Sequence, residues 1–145
     1  MPRSASTAMQ AHELEGVVGR LFVRHWPAIG EACASLVPCH GFNAHSGHYA
    51  RAADVFAQRG FAVTALDLRG RGRSEGERAY VDTFDEYVSD LARTIEFARS
   101  LRPDLPVYLL GHSAGGVMAL AYALDHPQRI DGLSLTYREV HSRTR

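Results

Sequence analysis

Cysteine is scarce in this sequence, tryptophan occurs once, and neither sign of charge is in excess. With only Cys33 and Cys39 in 145 residues, a disulfide-stapled small fold is excluded. An extended chain holds the two roughly 20 Å apart, beyond disulfide reach, so they read as free, buried thiols. They lack the CxxC spacing of a zinc site, and no metal is expected. Lys plus Arg and Asp plus Glu are sixteen each, so no global field draws nucleic acid or an anionic membrane. No apolar run approaches the roughly 20 residues that span a bilayer, and the amino end, MPRSASTAMQAHELEG, has no apolar signal core. No transmembrane segment is therefore expected, and the expected address is cytoplasmic. What is present, 46% hydrophobic and 22% charged residues with thirteen glycines, is ordinary globular composition rather than disorder, collagen or coiled coil.

Along the chain, Val18, Leu21 and Val23 interleave with Gly19, Arg20 and Arg24, which predicts strand structure between Gly16 and Trp26, as a hairpin of two short strands. Ala32 to Cys39 is an apolar run that empties into His40-Gly41, with Pro38 ending the pairing on one side. Tyr49, Ala52, Ala53 and Phe56 recur at helical spacing, and Gly60 stops that helix. Phe61 to Leu66 is the next strand. After the glycine-rich, charged stretch Asp67 to Arg78, a capping box from Thr83 to Glu86 opens a helix with the stripe Phe84, Tyr87, Val88, Leu91, Ile95 and Ala98. Val107 to Leu110 is a strand, Val117 to Leu124 a helix ending near Pro127, and Gly132 to Thr136 a last strand. Alternating units with continuous apolar strands predict an α/β fold, a mostly parallel sheet with flanking helices. Residues 1–15 are expected to be flexible, 16–136 to be one partial domain, and 137–145 to be a polar tail.

The strongest chemical signal is GHSAGG, Gly111 to Gly116, between the strand VYLL and the helix that follows. A strand-to-helix turn this tight needs small residues, here Gly111 and Gly115, and leaves the Ser113 hydroxyl exposed as a nucleophile. By itself a GxSxG match is a plain turn; the flanking strand and helix make it specific. The helix amino end offers unpaired amides and positive dipole to an oxyanion, with the Ala114 N–H as first donor. A second donor belongs on an earlier loop, where His40-Gly41-Phe42 offers the Phe42 N–H.

HGFNAHSGHY, then DLRGRGRSEGERAYVDTFDEYVSDL, then GHSAGG resemble the serine-nucleophile α/β-hydrolases, most closely the monoacylglycerol lipase and lysophospholipase branch, from about Gly16 to about Leu135. The resemblance implies Ser113 as nucleophile, Phe42 and Ala114 as oxyanion amides, a carboxylic ester substrate with an apolar acyl chain, and no cofactor. Transient contact with a membrane surface is compatible with such a substrate. The family pattern gives His40 and His45 loop-structuring positions rather than metal ligation, and His48 stands where relatives often carry arginine. His112 is expected to pack away from the Ser113 hydroxyl. The acids from Glu75 to Glu86 are expected to cancel the field of RGRGR, and Asp67 to anchor its loop.

In such hydrolases the acid and the histidine of the triad follow the serine, yet only thirty-two residues follow Ser113. His141 comes too soon in the fold to be the base. The expectation is an α/β-hydrolase domain truncated after about its sixth strand: an ester hydrolase lacking its triad acid and histidine, or a non-catalytic remnant or interaction domain of that fold.

Overall fold

Six strands and three α-helices follow from these patterns in a computed structural model, which describes residues 6–137. Strands β1 (Gln10–Glu15) and β2 (Arg20–Trp26) form an antiparallel hairpin, turned by Gly16 N–H donating to Gly19 O at 2.8 Å. Residues 10–15 thus belong to the sheet and not to a flexible segment, which corrects the expected domain boundary. β1 is an edge strand with one solvent face, and its inward side chains are Leu14 and His12, whose ring lies 4.9 Å from that of Phe97, so QAHELE carries little apolar alternation. The remaining strands are β3 (Ala34–Cys39), β4 (Phe61–Leu66), β5 (Val107–His112) and β6 (Gly132–Thr136). The helices are α1 (Ala50–Ala57), α2 (Phe84–Leu101) and α3 (Ala114–Asp125), with a 3-10 turn at Ser46–Tyr49 before α1.

The sheet order is β1-β2-β4-β3-β5-β6, antiparallel across β1, β2 and β4 and parallel from β4 to β6. Every residue of β3 is buried, as a central strand covered on both faces requires. The β3–β4 register runs only through Leu36, whereas β3–β5 continues to Cys39, so pairing stops on one side ahead of Pro38 as expected. Side chains alternate between two cores. Val37, Leu66 and Leu109 face α2 and α3, with Leu91, Ile95 and Met118, while Leu36, Val63 and Ala65 pack beneath α1 with Trp26 and Ala53.

Two local expectations fail for identifiable reasons. Cys39 is buried but Cys33 is exposed, because Cys33 precedes β3 and lies against the Gly60 turn, its thiol reaching Arg59 O at 3.6 Å. Thr83 holds the N-cap position of α2 without a side-chain cap bond. Glu86, which a capping box would turn back to Thr83, instead accepts from Arg69 Nη1 at 2.9 Å. The acidic charge at the helix start is kept for a buried arginine. Of the expected tail 137–145, all but Tyr137 lies outside the described residues, as does His141. Among the described residues no helix is long and apolar enough to cross a membrane.

Candidate active site

The connection leaving β3 runs to α1 on one face of the sheet and that leaving β5 runs to α3 on the other, so the chain opens a crevice at the carboxyl ends of these neighbouring strands. Ser113 lies there, between β5 and α3, with φ 54° and ψ −123°. A non-glycine residue at positive φ costs about 1–3 kcal/mol and persists only when its surroundings hold it. Here the Ser113 N–H donates to Thr136 O at 2.9 Å and Ser113 O accepts from Gly116 N–H at 2.8 Å. The flanking glycines are required by contact. A Cβ on Gly111 would stand 2.5 Å from Gly116 Cα, and one on Gly115 would run into the carbonyls of Cys39 and His40.

The loop after β3 meets this turn. A Cβ on Gly41 would lie 3.4 Å from Ser113 Cβ and 3.8 Å from its Oγ, so the Gly41 backbone stands beside the serine, with Phe42 next along the chain. Among the described residues neither the Phe42 N–H nor the Ala114 N–H has an acceptor. His40, fully buried, ties this loop to the next one: its Nε2 accepts from Leu68 N–H at 2.9 Å and its Nδ1–H donates to Gly41 O at 2.7 Å. Burial pulls its pKa down, in keeping with that neutral tautomer.

The other histidines are committed elsewhere. His112 turns from the serine to Thr136, Nδ1 to Oγ1 at 2.9 Å, and helps line a cleft of about 350 Å³ with His40, His48, Tyr49 and Leu110. His45 Nδ1 accepts from Gly47 N–H at 3.0 Å, and its ring lies against that of His48 with centroids 4.0 Å apart. Among the described residues no side chain hydrogen-bonds the Ser113 hydroxyl. A larger concavity of about 500 Å³ lies on the β1–β2 hairpin and contains none of these residues.

Asp67 is completely buried, and its carboxylate accepts from four donor groups: Ser46 N–H at 2.7 Å, Ser46 Oγ–H at 2.5 Å, Arg73 N–H at 2.9 Å and Arg24 Nη1, which reaches its two oxygens at 3.1 and 3.4 Å. Burial alone would push its carboxyl up, but the Ser46 hydroxyl, the two amides and Arg24 outweigh it and hold it below the usual range. It therefore knits β2, the 3-10 turn and the arginine-rich loop together. Ser46, Arg24 and Thr136 have no signal in the local sequence, since their partners are 21, 43 and 24 residues away. The expected cancellation of RGRGR is only partly met. Glu75 pairs with Arg20 and Glu86 with Arg69, so Arg71 and Arg73 have no carboxylate partner among the described residues.

Comparison with known proteins places this geometry. Residues 30–136 match the Hydrolase_4 family, described as serine aminopeptidase, S33. Human monoglyceride lipase is 37% identical over 115 residues, covering 79% of this chain and 38% of its own length. The monoacylglycerol lipase of Mycolicibacterium smegmatis is 33% identical over 138 residues, 94% of this chain and 49% of that protein. A thermostable carboxyl esterase from Bacillus coagulans superposes with a TM-score of 0.79 at 23% identity, over 90% of this chain and 44% of that one, a likeness of fold. The chain thus spans less than half the length of these relatives. With a match running through most of its residues and the sheet, helices and elbow turn of that fold, the chain belongs to the Hydrolase_4 (serine aminopeptidase, S33) family of α/β-hydrolases.

Proposed function

We propose that the chain carries the nucleophile half of a cytoplasmic carboxylic ester hydrolase whose substrates are monoacylglycerols or similar single-chain lipid esters. The observation that carries this reading is the pairing of a serine held at positive φ with two acceptor-free backbone amides, Phe42 on the loop after β3 and Ala114 at the first position of α3. Ser113 Oγ attacks the ester carbonyl while the two N–H groups take up the charge developing on its oxygen, the kind of fixed donor whose loss costs about 10²–10³-fold in rate. The alcohol leaves, an acyl-enzyme forms, and water releases the acid. The proton from Oγ needs a base and an orienting acid. Among the described residues no histidine hydrogen-bonds the Ser113 hydroxyl, so in this reading base and acid come from outside residues 6–137.

Labelling of the full-length gene product with a fluorophosphonate probe tests the assignment. Ser113→Ala should abolish labelling and ester turnover while the circular dichroism spectrum is kept. Undiminished labelling of that variant would move the nucleophile elsewhere, and no labelling of the unsubstituted protein would favour the non-catalytic interaction domain.

A further inference from the structure

The loop that leaves β3 carries Phe42, and its far end is fastened by a bond that exists in only one charge state of one side chain. His45 has extended backbone, φ −153° and ψ 168°, and stands just before the 3-10 turn Ser46–Tyr49. Its Nδ1 accepts from Gly47 N–H at 3.0 Å and so caps that turn. The ring fills the space that a side chain at 47 would take: a Cβ on Gly47 would stand 2.7 Å from His45 Cε1 and 3.3 Å from Arg24 Cζ. A neutral imidazole can cap because one of its nitrogens is an acceptor, whereas in the imidazolium both nitrogens carry hydrogen. No rotation of the charged ring restores the bond to Gly47.

The surroundings of His45 favour the neutral ring. His48 lies against it with centroids 4.0 Å apart, Arg24 approaches from β2, and His40 at the end of β3 is near enough to feel its charge. The carboxylate nearby, Asp67, is already engaged by Ser46, Arg73 and Arg24, and across the loop Arg71 stands over the Phe42 ring. We propose that His45 is an acid-sensitive latch on this loop: neutral, it fastens the turn; protonated, it lets residues 42–47 loosen, and His48 sets the pH of release. Two imidazoliums so close repel, so the pair titrates as a unit, and a proton on the exposed His48 delays the one on His45. Release is local, because Ser46 stays bonded to Asp67 and His40 to Leu68 on either side of the freed segment. The consequence for catalysis rests on the reading of Phe42 as an oxyanion donor, which release would unseat from beside Ser113. The latch itself does not depend on that reading.

Hydrogen exchange followed by mass spectrometry on the full-length gene product reads the latch without turnover. The scan runs from about pH 8 to about pH 4.5, through the range in which histidine ordinarily titrates, with rates corrected for the chemical exchange of free amides. The peptide covering residues 42–49 should exchange about fivefold faster at the acid end, the effect of losing one neutral hydrogen bond, while the peptide over β3 keeps its protection. In His45→Asn the Oδ1 takes the place of Nδ1 as a cap acceptor and cannot titrate, so the acid step should vanish. His48→Gln should keep the step and move it to higher pH, with the circular dichroism spectrum of both variants unchanged at pH 8. A loop that exchanges alike at both ends of the scan, a step that survives in His45→Asn, a step that His48→Gln leaves in place, or β3 opening together with the loop would each overturn the proposal. The two readings fail separately: absence of labelling at Ser113 leaves the exchange step standing, and absence of the step leaves the nucleophile standing.

Discussion

Ser113 and His25 each store free energy in a form that a single substitution or a change of pH releases. At Ser113 the φ of 54° is unfavourable for any side chain with a Cβ, at about 1–3 kcal/mol. Glycine at that position loses about 0.4–1 kcal/mol through the greater freedom of its unfolded chain but removes the strain. Ser113→Gly should therefore melt at or above the temperature of Ser113→Ala, a result opposite to the usual ranking of the two residues, and thermal denaturation followed by circular dichroism decides it. His25 is buried on β2, with Nδ1 2.9 Å from Thr64 Oγ1, and burial, reinforced by the neighbouring His12, pulls its pKa down to about 4. The unfolded chain takes up the proton near 6.5, the folded chain only near 4. Stability from this residue is thus complete above pH 6.5, declines as pH falls, and is lost by about pH 4, an interval worth about 3 kcal/mol. His40, pulled down by burial as well, acts in the same direction. His25→Gln should flatten the acid limb of a melting-temperature profile between pH 6.5 and 4, and an unchanged slope would place the acid sensitivity elsewhere.

Among the elements, α2 shows how a helix can carry the sequence signature of a cap and use the residues otherwise. Because Thr83 makes no cap bond, Thr83→Ala should cost well below the ~1 kcal/mol typical of an N-cap. The stabilising role has passed to Asp90, wholly buried, which accepts from Arg69 Nε at 2.8 Å and from Val17 N–H at 3.1 Å. Asp90→Ala leaves the buried Arg69 guanidinium with Glu86 as its one carboxylate among the described residues and the Arg69 Nε without an acceptor, and should cost about 1.5–3 kcal/mol, measured by urea unfolding. The contrast also explains what was readable beforehand. Strand order along the chain, the α2 stripe and the elbow were legible because each depends on residues within a few positions of one another, such as the apolar run before Gly111 or the glycines that Ser113 needs beside it. The ties between loops were not. Asp67 to Ser46 and Arg24, Ser113 to Thr136 and Arg69 to Asp90 are pairings across the fold, and β1 escaped notice because an edge strand with a solvent face has little apolar alternation to display.

For the molecule as a whole, the unmatched surface lies at the β6 end. Val117, Leu120 and Leu124 form a stripe along α3 that is 58%, 41% and 72% exposed, and among the described residues β6 beside it pairs only with β5. A bare strand edge next to an apolar helix face favours association. The purified 145-residue chain should scatter light as an oligomer and bind a hydrophobic dye, whereas Val117→Lys with Leu124→Lys should reduce both; a monodisperse wild-type monomer would show that the stripe is tolerated in water. The central position of β3 has a different consequence, one of timing. β4 reaches β3 as soon as residue 66 is made, but the strand that closes its other side, β5, is complete only at residue 112. At ~5–20 residues per second, translation leaves a strand that the finished fold buries completely with one open edge for several seconds. During that interval the emerging chain holds half of its crevice, Gly41 and Phe42 without Ser113, and offers to the ribosome exit and its attendant chaperones a sticky template that the finished fold conceals.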